Sequence, residues 1–308
     1  ELAAAREIAL EFADHAVTVN TSNQRMRTAL MRGDLARADA DIDELMHALK
    51  AGGHGPTFAA DGCGFRALLR LAQGRPVEAM AELERMQALA AAGQKPLARD
   101  WLAIIALAWM QRGRRERAQA IVEGAGTEID QGGIAFVRIR LAQADASRLD
   151  DALDVTKDGW PPPASALGMR LRTLEAFLRR PPLADVQVLI ATLRERGLRP
   201  LERLAHLAAA RAAVAIGEQA AAGTHARAAL AMAALVDPWV DEPAQVWLEA
   251  GAALRAAGAV DEAKAAFAAG RAWVEQAAAT LESDDDRRAW REGNPVHRAL
   301  LVDTLPGR

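Results

Sequence analysis

The stretch AQVWLEAGAALRAAGAVDEAKAAFAAGRAWVE, residues 244–275, decides the fold. Trp247, Ala250, Gly251 and Leu254 stand at i, i+3, i+4 and i+7, which places them on one face of a helix. Gly258 ends that helix, because a left-handed residue is cheapest without a Cβ. Asp261 and Glu262 then open a second helix, where the macrodipole favours carboxylates. Ala263, Phe267 and Gly270 continue its buried face at spacings of four and three. Small residues at Gly251, Ala263 and Gly270 let the two helices cross closely, while Trp247, Leu254 and Phe267 fill the remaining volume.

The unit recurs. A helix, a glycine and an alanine five residues later appear as Gly33…Ala38, Gly74…Ala79, Gly113…Ala118 and Gly258…Ala263. The second helices continue with Ile42 and Leu45, with Leu83 and Met86, and with Val122. The first helices offer Ile105, Ala106 and Trp109 before Gly113, and Leu207, Ala210 and Val214 before Gly217. Two middle units are degenerate. One is marked by Ser147 and Ala152, with Thr156 where a large apolar residue is expected. The other turns at Pro181, between Leu174 and Phe177 on one side and Val186, Ile190 and Leu193 on the other. Turn markers at positions 33, 74, 113, 147, 181, 217 and 258 make about seven helix pairs. Internal periodicity of this length is the mark of a stacked repeat protein. The apolar half of the composition is mostly Ala and Leu, both strong helix formers, and Tyr is absent. The expectation is an all-α chain.

The order Trp, small, Gly, large apolar, Gly, Ala, Phe, small at these offsets closely resembles the tetratricopeptide repeat. The resemblance implies a right-handed α-α superhelix in which the first helix of each pair lines the concave surface. Standard arrays hold a period of 34, whereas the intervals here run from 34 to 41. Longer, irregular units resemble the MalT-like helical arrays of bacterial signal-transduction ATPases, transcription activators and multidomain cyclases. Residues 1–17 read as the second helix of a truncated upstream repeat, followed by a turn at Asn20 to Asn23, then repeats over 18–278 and a capping segment over 279–308. On that reading the chain is part of a longer polypeptide whose missing portion is N-terminal. In the cap, Ser283 heads a helix whose first turn holds Asp284, Asp285 and Asp286. Gly293, Asn294 and Pro295 break that helix, and a short final helix runs over 296–301.

Charge and motifs exclude several functions. Formal net charge is −3, with 38 basic and 41 acidic residues interspersed, so the chain has no electrostatic footprint for nucleic acid or an anionic membrane. The longest apolar run, Trp101 to Met110, is too short to span a bilayer. One cysteine, Cys63, allows no internal disulfide and fits a reducing compartment. A cytoplasmic location is expected. No G-x-x-x-x-G-K-[ST] loop and no H-E-x-x-H motif occurs, and the histidines are dispersed, so the segment is expected to be no enzyme and to carry no cofactor or metal. Cys63 is expected to be a buried structural thiol. Arg114, Arg115 and Arg117 are expected on a solvated helix face. Trp109, Trp247 and Trp273 fall at core offsets, whereas Trp160 and Trp239 neighbour prolines in loops and are candidates for a binding surface.

First-helix positions off the packing face, which the resemblance places on the concave side, include Asn23, Arg27, Arg66, Arg70, Asp100, Arg138, Arg170, Arg211 and Gln245. Guanidinium groups there suit acidic peptides, carboxylates or phosphates through bidentate bonds, or serve solubility alone. The expected partners are a protein segment or small acidic effector in the groove and other domains of the same polypeptide. The family implies a sensor or partner-binding arm of a larger bacterial regulator. The alternative is a stand-alone scaffold that binds a protein segment without signalling.

Overall fold

Every regular element is a helix in the computed structural model, which describes residues 4, 7, 8, 15–52, 56–93, 99–125, 133–142, 146–153 and 165–302. Consecutive helices pair: α1 (His15–Arg32) with α2 (Leu35–Ala51), α3 (Pro56–Ala72) with α4 (Pro76–Ala92), and α5 (Arg99–Gln111) with α6 (Arg115–Gly124). Then come α7 (Gly133–Ala142) with α8 (Ala146–Leu153), α9 (Ala166–Arg179) with α10 (Leu183–Glu195), α11 (Arg199–Ala215) with α12 (Gln219–Leu230), and α13 (Gln245–Ala256) with α14 (Val260–Ala279). A short α15 (Asp284–Arg288), a π-helical turn (Ala289–Gly293) and α16 (Pro295–Leu301) follow. First helices also pack on the next first helix, α3 on α5, α5 on α7, α9 on α11 and α11 on α13.

The 244–275 unit packs as its small residues demand. A Cβ at Gly251 would come within 2.8 Å of the Phe267 ring, and one at Gly270 within 2.8 Å of both Leu300 and Trp247. Two apolar cores result, one running from Met26 to Leu141 and the other from Phe136 to Leu300. Trp239 packs against both.

The chain also returns on itself. The α1–α2 turn meets Pro200 and Leu235, the α3–α4 turn meets Trp273, and the α5–α6 turn meets the π-helical turn. Gly113 (φ +73°) is needed twice, once for its left-handed backbone and once because a Cβ would overlap the Ala289 carbonyl oxygen. Asn294 seals this contact by donating from Nδ2 to the Gln111 carbonyl at 3.2 Å. Arg112 pairs with Asp286 at 2.8 Å, and Arg114 pairs with Asp285. Gly258 (φ +79°) has the same backbone but nothing within 4 Å of an added Cβ. In an open array each unit meets only its neighbours. Here the glycine ladder divides into turns covered by distant helices and turns left open.

Four local expectations are corrected. Asn20 to Asn23 is no turn: α1 is continuous from His15, and Thr21 back-bonds to the Val17 carbonyl at 2.8 Å within it. Ser147, expected to mark a turn, is the second residue of α8. Val214, expected on the packing face, is 40% exposed near the end of α11. The arginines after Gly113 are a solvated face only in part: Arg117 is exposed, while Arg114 and Arg115 are half-buried. Arg114 holds the cap, Arg115 donates to the Leu141 carbonyl, and Arg117 stacks on Trp109 at 4.5 Å. The acidic triplet therefore serves more than its helix dipole. Thr156 and Trp160 lie outside the described residues, as do residues 1–14 apart from 4, 7 and 8.

A candidate ligand cavity

First helices of five successive pairs wall a cavity of about 600 Å³. Helix α1 contributes Gln24, Arg27, Thr28 and Met31, spaced as one helical face. Helix α3 contributes Asp61, Phe65 and Leu68 at i, i+4 and i+7. Trp101 of α5 and Phe136 of α7 extend the apolar wall, and Leu167 and Arg170 of α9 close the far side. The 231–244 segment between α12 and α13 covers part of the cavity with Pro238 and Trp239. A volume of this size, apolar with a few convergent polar groups, is that of a small-molecule site.

Four aromatic residues shape the interior. Phe65 and Trp101 meet edge to face, with centroids 5.1 Å apart and planes at 84°. Trp239 inserts beside Ala103 and Gly133, and a Cβ at Gly133 would overlap its ring. The polar groups are few. Arg27 places its guanidinium 5.1 Å from the Phe65 centroid and donates from Nε to Asn23 Oδ1 at 3.2 Å. The Trp101 side chain, whose only donor is the indole N–H, lies beside Asp61 on the cavity wall. Burial pushes the Asp61 carboxyl above the usual range, opposed by that indole and by the Arg27 charge. Arg170 donates from Nε to Asp237 Oδ2 at 2.7 Å, and Asp237 Oδ1 accepts from the Trp239 backbone N–H at 3.1 Å. Asp237 thus fixes both the guanidinium and the backbone that carries the indole.

The covering segment, VDPWVDEPA at residues 236–244, is anchored by buried charge. Asp237 takes Arg170 of α9, Asp241 takes Arg203 of α11, and Glu242 takes Arg140 of α7 at 3.1 Å. Arg203 also donates to the Ala233 carbonyl at 3.0 Å. Burial pushes both Arg140 and Arg203 below the usual guanidinium range, and the segment's carboxylates oppose that shift. His297, fully buried, donates from Nδ1 to the Trp290 carbonyl at 2.8 Å and turns Nε2 toward Glu242 Oε1 at 3.3 Å.

Of the residues expected on the concave side, the cavity brings together Arg27 and Arg170, and Asn23 supports Arg27 from the turn before. The other arginines are engaged elsewhere. Arg66 bonds Asp43 at 2.5 Å and approaches Glu82, and Arg70 bonds Asp39 at 2.9 Å and approaches Glu78. These partners stand on α2 and α4, so both arginines stitch second helices to α3. Arg211 lies over Phe177 at 4.5 Å and faces Glu249 at 3.7 Å. Gln245 borders a separate small cleft with Arg115, Arg140 and Asn294. Arg138 is half-buried in α7 and does not line the cavity, and the Asp100 side chain lies outside the described residues. Asp61, Phe65, Trp101 and Phe136 were not among the sequence candidates. Their signal was the spacing that Asp61, Phe65 and Leu68 share with Gln24, Thr28 and Met31, with a lone carboxylate on an otherwise small and apolar face.

Cys63 is fully buried, and its thiol is pushed up to about 11, first by burial and then by Glu82. His206 and His225 meet with their Nδ1 atoms 2.9 Å apart, a contact that their separation in sequence concealed. Among the described residues no helix is long and apolar enough to cross a membrane. No protein-family model matches this chain, and no curated protein or solved structure matches it.

Proposed function

We propose that this chain is a ligand-binding helical-repeat module, built as a right-handed α-α superhelix of MalT-like tetratricopeptide units and serving as the sensor arm of a larger bacterial cytoplasmic regulator. The observation that carries the reading is the cavity walled by α1, α3, α5, α7 and α9, the first helices of successive pairs. The 231–244 segment crosses that side of the molecule, and its Trp239 occupies space that an open groove would leave to a peptide. This favours a small molecule over an extended protein segment, and hence a sensor over a scaffold. A ligand acts by preferring one arrangement of the covering segment and its anchoring helices, and one indifferent to that arrangement shifts nothing.

Thermal-shift measurements against sugars, nucleotides, amino acids and acidic peptides test the reading. A ligand at about a hundred times its Kd stabilises the fold by about 2.7 kcal/mol, a readily measured rise in Tm. Leu167→Trp, which fills the cavity from α9, should abolish the shift. A rise in Tm that survives this substitution would place binding elsewhere, and an unresponsive protein would remove the ligand-binding reading.

A further inference from the structure

Among the described residues, the cavity holds three charged side chains, Arg27, Asp61 and Arg170. Arg170 is neutralised by Asp237. Among the described residues, neither Arg27 nor Asp61 makes an ion pair within 4.0 Å, in contrast to Arg66, Arg70 and Arg211, each of which faces a carboxylate. They nonetheless share one wall of the cavity, since Arg27 stands 5.1 Å from the centroid of Phe65, which lies one helical turn from Asp61 on α3. The fold therefore leaves one cationic and one anionic group on adjacent first helices, near each other but not joined. Phe65 lies under Arg27, and Trp101 meets Phe65 edge to face on the wall that carries Asp61, so both charges border the same aromatic wall.

We infer that the cavity takes a small zwitterion with an aromatic body: a carboxylate received by Arg27, an ammonium group received by Asp61, and a ring system seated among Phe65, Trp101, Phe136 and Trp239. Charge-assisted hydrogen bonds recognise the two ends of such a head group, and stacking on rigid rings recognises the body. A carboxylate lying half in an apolar site gains from a cationic partner that returns the solvation it has lost. With its Nε given to Asn23, Arg27 over the Phe65 ring keeps its two terminal NH2 groups for a carboxylate. The cavity volume exceeds what one indole ring requires, so a ligand that extends beyond the ring also fits.

This inference rests on the ligand-cavity reading, and a series of probes separates the two. Binding of tryptophan, indole-3-propionate, tryptamine and indole is measured by calorimetry on the intact chain. The four share one aromatic body and carry both charges, the carboxylate alone, the ammonium alone, or neither. Tryptophan should bind at least about tenfold more tightly than either singly charged probe, since each lost bond to a charged group is worth that much or more. Arg27→Gln should erase the advantage of tryptophan over tryptamine, and Asp61→Asn its advantage over indole-3-propionate. Equal affinities across the series in the unaltered protein would overturn the zwitterion while leaving an aromatic-binding cavity intact. Absence of binding by all four probes, indole included, would overturn the zwitterion, and a further failure across the wider thermal-shift panel would remove the cavity reading as well. The wild-type series decides the question even where a variant folds poorly, and Arg27→Lys, which keeps the charge, should retain part of the preference for the carboxylate.

Discussion

Gly113→Ala and Gly258→Ala are the same chemical change in the same backbone conformation, yet they should differ severalfold in cost. Both positions have positive φ, +73° and +79°, so each alanine incurs about 1–2 kcal/mol from its Cβ in the left-handed region. At Gly258 nothing lies within 4 Å of that Cβ, and the penalty ends there. At Gly113 the Cβ meets the backbone carbonyl of Ala289, and backbone cannot swing aside as a side-chain tip can. The cap must shift, at a packing cost of about 1–3 kcal/mol. The shift also threatens the buried bond from Asn294 to the Gln111 carbonyl, which is worth about 1–3 kcal/mol when a buried partner is left unsatisfied. The expected totals are about 3–8 kcal/mol for Gly113→Ala and about 1–2 kcal/mol for Gly258→Ala. Urea denaturation followed by far-ultraviolet circular dichroism measures both. Acrylamide quenching of Trp290, one of seven tryptophans, compared against a Trp290→Phe background, supplies a local readout, because this fully buried ring should become accessible in Gly113→Ala and stay protected in Gly258→Ala. Equal losses of stability in the two variants would refute the return of the chain onto its own cap.

Three further outcomes follow from buried titratable groups. The His206 imidazole is pushed down to about 4, first by burial, then by His225, Arg194 and Arg199 against Glu202, while the His225 imidazole is also lowered. An unfolded imidazole near 6.5 takes up a proton that folded His206 refuses, so stability is fully retained above pH 6.5 and falls, by at most about 3 kcal/mol, as the pH drops toward 4. Urea midpoints between pH 7.5 and 4.5 check this, and a His206→Gln variant should show a flatter profile. Glu242→Gln leaves Arg140 buried without its counter-charge and should cost about 3–5 kcal/mol, whereas replacing both by apolar residues of similar size should cost less, a comparison made by a double-mutant cycle. A thiol reagent at pH 8 should label Cys63 only through opening of the fold, at a rate that rises with added urea, because the thiol is both buried and largely protonated at that pH.

Local and non-local features were unequally legible in the sequence. Gly33, Gly74, Gly113, Gly217 and Gly258 are all left-handed turn residues, and the apolar positions after them, such as Ile42, Leu83 and Met86, are buried. Those features depend on neighbours within one helix pair, and periodicity reports such neighbours directly. Contacts between distant units leave no periodic trace. Arg66 and Arg27 occupy comparable first-helix positions, yet one spans to α2 and the other faces the cavity, because the side of the helix against which a second helix lies is set by packing. The arginines after Gly113 and the acidic triplet at Asp284–Asp286 each had an adequate local explanation, and only folding reveals that they join. The covering segment did leave a mark. The interval from Gly217 to Gly258 is among the longest, and its excess contains two prolines, a tryptophan and three carboxylates within nine residues. Such a cluster is too acidic and too proline-rich to be a helix, and too apolar to be a solvated linker.

That segment is where the fold and the candidate site meet. Its carboxylates, Asp237, Asp241 and Glu242, anchor it to α9, α11 and α7 respectively, while Trp239 between them covers the cavity. Apolar residues of similar shape would hold a surface segment with less desolvation, so buried pairs of this kind are a weak source of stability. Their geometric consequence is stronger. Three charges within six residues admit few positions of the segment, since sliding it by one residue would strand an arginine and a carboxylate without partners. Trp239 packs against both apolar cores, so displacement of its ring disturbs the seam between the N-terminal and C-terminal helix pairs. On the function proposed above, a ligand in the cavity touches Trp239, the one side chain among the described residues common to both cores, held in register by charges that resist intermediate positions. A discrete response then needs no additional hinge, and its extent is bounded by the difference in the ligand's affinity for the two positions of the segment.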